Sequence, residues 1–162
     1  MAPKKPAPPN AVYQLKITLR GIRPPIWRRV LVGDTVTLHH LHRVIQAAMG
    51  WHNCHLHMFE IGDQRLGMRH DDFDNEIEDE KKHRLPELVQ REKARFRYTY
   101  DFGDGWRHSL TVEKILEPEA GARYPLCLAG KRACPPEDVG GVWGYEGLLE
   151  VFADPNHPEY EE

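Results

Sequence analysis

Residues 95–113 read RFRYTYDFGDGWRHSLTVE, and the fold turns on how this stretch pairs with itself. Phe96, Tyr98, Tyr100 and Phe102 alternate with Arg95, Arg97, Thr99 and Asp101. After Gly103-Asp104-Gly105, the residues Trp106, His108, Leu110 and Val112 alternate with Arg107, Ser109, Thr111 and Glu113. Period two on both sides of a glycine-rich turn predicts a β-hairpin with one buried face. Two registers compete. A two-residue turn at Asp104-Gly105 would set Asp101 opposite His108 and mix aromatics with charges on each face. A three-residue loop pairs Phe102 with Trp106, Tyr100 with His108, Tyr98 with Leu110, Asp101 with Arg107 and Arg95 with Glu113. One face is then apolar apart from His108, and the other carries opposite charges across the strands. Register follows the buried face, so the three-residue loop is expected, with glycine in the left-handed bulge position. That register makes Asp101 an exposed partner of Arg107 and removes it from any dyad with His108.

Upstream, His55, His57, Phe59 and Ile61 alternate with Leu56, Met58 and Glu60, which predicts a strand over 55–61. Before it, Leu38, Leu41, Ile45, Ala48 and Met49 recur at helical spacing behind Thr37, a good N-cap, and Gly50 suits the helix end. His39, His40 and His42 then belong mainly to the helix surface. Tyr13, Leu15, Ile17 and Leu19 mark a first strand, and residues 26–32 a second, separated by Pro24-Pro25. Residues 62–84 hold Asp71, Asp72, Asp74, Glu76, Glu78, Asp79 and Glu80 and read as a solvated acidic excursion. They lack the glycine and closing glutamate of a calcium loop. Residues 85–91 suit a short helix. Downstream, Tyr124 to Val142 is a loop rich in proline and glycine, and Tyr145, Leu148, Leu149 and Phe152 mark a C-terminal helix ended by Asp154-Pro155. The expected fold is α+β: hairpins in a mixed or antiparallel sheet, packed on a central helix in a β-grasp-like order.

The 162 residues suit one domain, residues 12–162, behind a proline- and lysine-rich tail over 1–11 read as disordered. The net charge of -3 argues against a dedicated nucleic-acid binder. No apolar run is long enough to span a bilayer, and the first ten residues lack a signal peptide's apolar stretch, so a cytoplasmic protein without a membrane partner is expected. Three cysteines, Cys54, Cys127 and Cys134, are then expected as reduced thiols.

His55 and His57, two apart on a strand, point the same way, which suits two ligands of one ion. His108 on its own apolar face would complete a zinc-type site if the two strands share a sheet face. The competing reading makes each a histidine at the core edge, satisfied by a tyrosine or a carbonyl. Cys127 and Cys134 form one loose pair, short of the two close pairs of a structural zinc site, and packed thiols are the simpler reading. Cys54 stands beside His55, but strand neighbours face opposite ways, which argues against a thiol–imidazole pair unless the strand starts later.

Four segments, YQLKITLRGIRPPIWRRV, LHRVIQAAMGWHNCHLHMFEIG, YTYDFGDGWRHSLTVEKI and CLAGKRACPPEDVGGVWGYEGLLEVFADPNHPEY, resemble the plasmid pRiA4b ORF-3-like family. The likeness runs from Tyr13 to Tyr160. It implies an α+β fold without an established activity, and members that continue into a further tryptophan-containing segment absent after Glu162. Some members carry the label of a passenger TnpR protein. No serine-nucleophile signature or helix-turn-helix supports a resolvase, and a label from genomic neighbourhood is the simpler account. Three functions follow as expectations. The first is a binding module associated with mobile elements, its pocket lined by His55, His57, Tyr100, Trp106 and His108, with Asp104 and Glu137 at the rim. The second is a metal-dependent hydrolase with His55, His57 and His108 on a zinc-type ion and Glu137 or Asp138 as general base. The third, single-stranded nucleic-acid binding on aromatics with Arg95, Arg97 and Arg107, is opposed by the alternation that sets arginines and aromatics on opposite faces.

Overall fold

A computed structural model describes residues 7–68 and 76–160. In chain order the elements are β1 (Val12–Leu19), β2 (Ile26–Gly33), α1 (Leu38–Met49), β3 (His57–Ile61), β4 (Gln64–Gly67), β5 (Ile77–Asp79), a 3-10 turn (Glu80–Lys82), α2 (Leu85–Leu88), β6 (Arg95–Tyr100), β7 (Trp106–Leu116), β8 (Leu126–Lys131) and α3 (Gly141–Ala153). The strands form one open mixed sheet in the order β5-β4-β3-β6-β7-β1-β2-β8. Among the described residues, only β4 and β5 run parallel. The expected α+β class, central helix and C-terminal helix are all present.

Alternation decides which sheet face is covered. Leu15, Ile17 and Leu19 of β1, Phe59 of β3, Tyr98 and Tyr100 of β6, and Trp106, Leu110 and Val112 of β7 are buried with Leu38, Leu41, Ile45 and Met49 of α1. The opposite face stays polar and partly wet. There Lys16 and Arg29 sit 5.0 Å from the ring of Trp27, and Arg29 makes a two-point pair with Glu113 at 2.6 and 3.1 Å. Arg29 holds the Glu113 carboxyl below its usual range. The pair's contribution is complete above that range and is lost as pH falls from it through the lowered folded-state value. Because both side chains are partly exposed, Glu113→Gln should lower stability by only about 0 to 1 kcal/mol in urea unfolding at pH 7.

The helix begins as its sequence predicts, with Thr37 Oγ1 accepting the His40 N–H at 3.1 Å, and it ends at Gly50 in the left-handed conformation. Thr37→Ala should cost about 1 kcal/mol in the same measurement. Arg28 donates from Nε to the Ala48 carbonyl at 2.9 Å, covering an otherwise unpaired helix-end acceptor.

Part of the acidic excursion is built in. β4 and β5 add to the sheet edge, and Glu80 is fully buried, against the expectation of a solvated run. The backbone explains it: Leu38 N–H donates to His83 O and Leu85 N–H to Val36 O, stitching residues 83–85 to the start of α1 and carrying Glu80 beneath the helix. Asp71, Asp72 and Asp74 lie outside the described residues, as do residues 1–6 of the tail. α3 buries Tyr145 and Val151, whereas Phe152, one of the residues that mark the helix, is exposed, as is Trp143.

Candidate functional site

The hairpin closes two residues away from the expected register. Tyr98 faces His108, Tyr100 faces Trp106, and Arg95 faces Thr111. A slip of two keeps every side chain on its own face, so burial cannot choose between the two pairings. The turn chooses. Asp101 takes φ 59°, its Oδ1 accepts the N–H groups of Gly103 (3.1 Å) and Asp104 (3.3 Å), and its carbonyl accepts Gly105 N–H at 2.6 Å. Aspartate closing a turn through its own side chain tolerates this left-handed backbone. The loop is therefore five residues, 101–105, with Gly105 at φ 70°. Asp101 is buried and not an exposed partner of Arg107, and Phe102 leaves the core to become 54% exposed.

The second correction is at β3, which starts at His57, so Cys54 and His55 precede the strand and escape its alternation. His57 is buried, with Nε2 2.5 Å from Glu80 Oε1 and its ring stacked 3.4 Å from that of His42. His108 is fully buried, and both ring nitrogens are engaged: Nδ1 with the Tyr98 carbonyl at 3.1 Å, Nε2 with the Trp51 indole N–H at 3.3 Å. The structure does not gather His55, His57 and His108 around one point. His57, Trp106 and His108 are core groups.

His55 instead meets three carboxylates. Its Nε2 lies 2.8 Å from Asp138 Oδ1, 3.6 Å from Asp101 Oδ2 and 3.8 Å from Glu137 Oε2. Glu137 is pinned by its other oxygen: Oε1 accepts the Tyr100 hydroxyl at 2.9 Å and the His52 N–H at 2.8 Å. The Tyr100 hydroxyl accepts the Cys54 N–H at 3.0 Å and lies 3.6 Å from Cys54 Sγ. Burial above all, with the Cys54 thiol and Glu137 contacts, raises the Tyr100 phenol well above its ordinary range against the opposing Cys54 N–H, and keeps it a donor. Among the described residues, Glu137 Oε2 and His55 Nε2 are buried atoms that make no well-formed hydrogen bond. Asp138 is more than half exposed and opens the cluster to solvent.

Two loops hold these groups together. Gly140 N–H donates to Asp104 Oδ2 at 3.2 Å, and a Cβ placed on Gly141, at φ 70°, would stand 2.5 Å from the Asp104 carbonyl oxygen. Only glycine allows that approach. Asp104 thus serves as a strut between loops.

Among the described residues, two sets of donors lie close enough to share one ion: His55, Asp101 and Asp138, and Cys54, His55 and Glu137. Ligands ~2.1 Å from an ion stand roughly 3 to 3.5 Å apart, close to the 2.8 and 3.6 Å separations at His55 Nε2. Formally three carboxylates face at most one imidazolium, and none of the three is in a lysine or arginine pair among the described residues. A cation would relieve that excess. Neither set includes Cys127, exposed on β8, or Cys134, packed against the core. Burial pushes the Cys134 thiol up to about 12.

The family model described as plasmid pRiA4b ORF-3-like protein matches residues 11–162, which takes in the whole sheet, α3 and every residue of the cluster. The chain belongs to the plasmid pRiA4b ORF-3-like family. A family relative, uncharacterized protein y4hQ of Sinorhizobium fredii (strain NBRC 101917 / NGR234), is 42% identical over 153 residues, covering 94% of this chain and 78% of that protein. The fold recurs in a crystal structure, protein of unknown function MM3350 from Methanosarcina mazei Go1. It is 44% identical, with a TM-score of 0.86, covering 93% of this chain and 86% of that one.

Sequence reasoning missed Asp101 and Cys54 because each was judged from a strand that ends or starts elsewhere. It also missed a buried polar network next to the cluster. His42 Nδ1 bonds the Tyr98 hydroxyl at 2.6 Å and Nε2 bonds Asn53 Oδ1 at 2.8 Å, while Gln46 binds both the Tyr98 hydroxyl and the Asn53 N–H. The network fixes Asn53 at φ 53° and so aims Cys54 and His55. On the outer face, a shallow depression of about 340 Å³ sets Phe102 beside Arg97 and Arg107, which the expected register kept apart. Arg97 there pairs with Glu60 at 3.3 Å.

Proposed function

We propose that the protein is a binding module that uses a divalent cation, held by His55, Asp101 and Asp138, to grip an anionic group of its ligand. One observation carries this: an imidazole nitrogen within 3.8 Å of three separate carboxylates, with that nitrogen and Glu137 Oε2 buried and making no well-formed hydrogen bond among the described residues. One nitrogen and carboxylate oxygens form a hard donor set, suited to Mn²⁺ or Mg²⁺, and also to Zn²⁺. The exposure of Asp138 leaves coordination positions for water or a ligand oxygen. A pocket reaching His57, Trp106 and His108 is not part of this reading, since those side chains are sealed in the core.

A second reading, hydrolysis of a bound ester or phosphoester, is favoured by Glu137 Oε2. It is unpaired, 3.8 Å from His55 Nε2, and held by Tyr100 where it can take a proton from water on the ion.

Calorimetric titration of chelator-treated protein with Mn²⁺ tests both. About one ion per chain is expected, with binding lost in His55→Ala and Asp138→Asn while circular dichroism stays unchanged. A folded protein that takes up no divalent ion overturns the proposal. Glu137→Gln should leave Mn²⁺ affinity within a fewfold; retention of any hydrolytic turnover in that variant would remove the second reading.

A further inference from the structure

The two donor sets at the cluster differ in chemistry and share His55. One is oxygen-rich: His55, Asp101 and Asp138. The other contains sulfur: Cys54, His55 and Glu137. We infer that Cys54 is the residue that sets metal preference here, with zinc and other thiophilic ions taking the Cys54–His55–Glu137 set and hard ions taking the carboxylate set. This rests on the cation reading above and adds the identity of the ion to it.

Three observations carry it. Cys54 is an exposed residue, so the set that contains it borders solvent. Its backbone N–H is fixed on the Tyr100 hydroxyl, and the same hydroxyl fixes Glu137 Oε1, so the two ligand side chains are referenced to one anchor. Glu137 Oε2, the oxygen left over, is buried with no hydrogen-bond partner among the described residues. A thiolate, an imidazole and a carboxylate, with a fourth position for water, make a soft, open zinc-type site. On coordination the thiol proton leaves to solvent and sulfur donates its lone pair to the ion; nothing is oxidised. The other cysteines are placed differently. Cys127 Sγ turns to the Ala129 carbonyl on the edge strand, and burial holds the Cys134 thiol in its protonated form.

Cobalt(II) separates the outcomes, because its visible bands report occupancy and its near-ultraviolet charge-transfer band reports a thiolate ligand. The reduced full chain is titrated with Co²⁺ without oxygen. Both bands are expected, and Cys54→Ser should remove the charge-transfer band while the visible bands remain. The same variant should weaken Zn²⁺ by roughly tenfold or more and leave Mn²⁺ within about twofold, measured by competition. Visible bands without charge transfer, or charge transfer that survives Cys54→Ser, overturns the role of Cys54 and leaves the cation reading standing. No cobalt spectrum at all in folded protein overturns both.

Discussion

Taking the protein from pH 7 to pH 4 should remove about 3 kcal/mol of stability through His108 alone, whose fully buried imidazole resists protonation. Burial lowers the His108 imidazole from 6.5 to about 4, its hydrogen bonds to the backbone opposing only in part. The unfolded chain protonates this histidine near 6.5, so between 6.5 and 4 it binds more protons than the folded one. Stability is therefore complete above 6.5 and drains as pH falls towards 4. His42, also lowered to about 4 by burial first and by His57 beside it second, acts in the same direction. Urea unfolding at half-unit pH steps should show a steep loss below 6.5. His108→Leu should be less stable at pH 7, because the Trp51 N–H and the Tyr98 carbonyl lose a partner. Its slope below 6.5 should nevertheless be shallower. An unchanged slope would mean that His108 is not the titrating group.

That dependence follows from a position the sequence marked well. His108 alternates with Trp106, Leu110 and Val112, and alternation is enough to bury it. The same signal placed β1, β2, α1 and the two hairpin strands. It failed where backbone geometry, not side-chain period, decides. A slip of two residues in the β6–β7 pairing leaves both faces unchanged, so the pattern could not tell an exposed Asp101 from the buried residue that closes the turn. The period starts at His55, two positions before the ladder, so it assigns His55 to the strand and sets Cys54 beside it as an oppositely facing neighbour. Glu80 looked like one more acid in a solvated run, and only long-range bonds from Val36 and Leu38 bring that run under α1. Glu137 and Asp138 were picked out by chemistry, but their neighbours could not be. They meet His55 because a glycine-rich loop folds back on Asp104, a contact more than thirty residues long in sequence.

Gly144→Ala should sever the site from the fold that carries it. A Cβ at Gly144 would collide with the Val139 carbonyl oxygen and stand 2.7 Å from the carbonyl carbon. The obstacle is backbone, which cannot swing aside as a side-chain end can. The loop must move, and Val139 directly follows Glu137 and Asp138, whose oxygens need their present separations from His55. Mn²⁺ affinity should fall on the order of 100-fold, the scale of losing the support of a ligand group. The core should hold, because among the described residues α3 gives its buried cluster Tyr145 alone, with Val142 and Leu149 packed against the outside. Gly147→Ala is the internal control. It lies one turn further along the same helix with nothing within 4 Å of an added Cβ, and alanine there should raise stability by about 0.5 to 1 kcal/mol and leave metal affinity alone. Equal metal affinity in Gly144→Ala and Gly147→Ala would show that the ion is held somewhere other than between these loops.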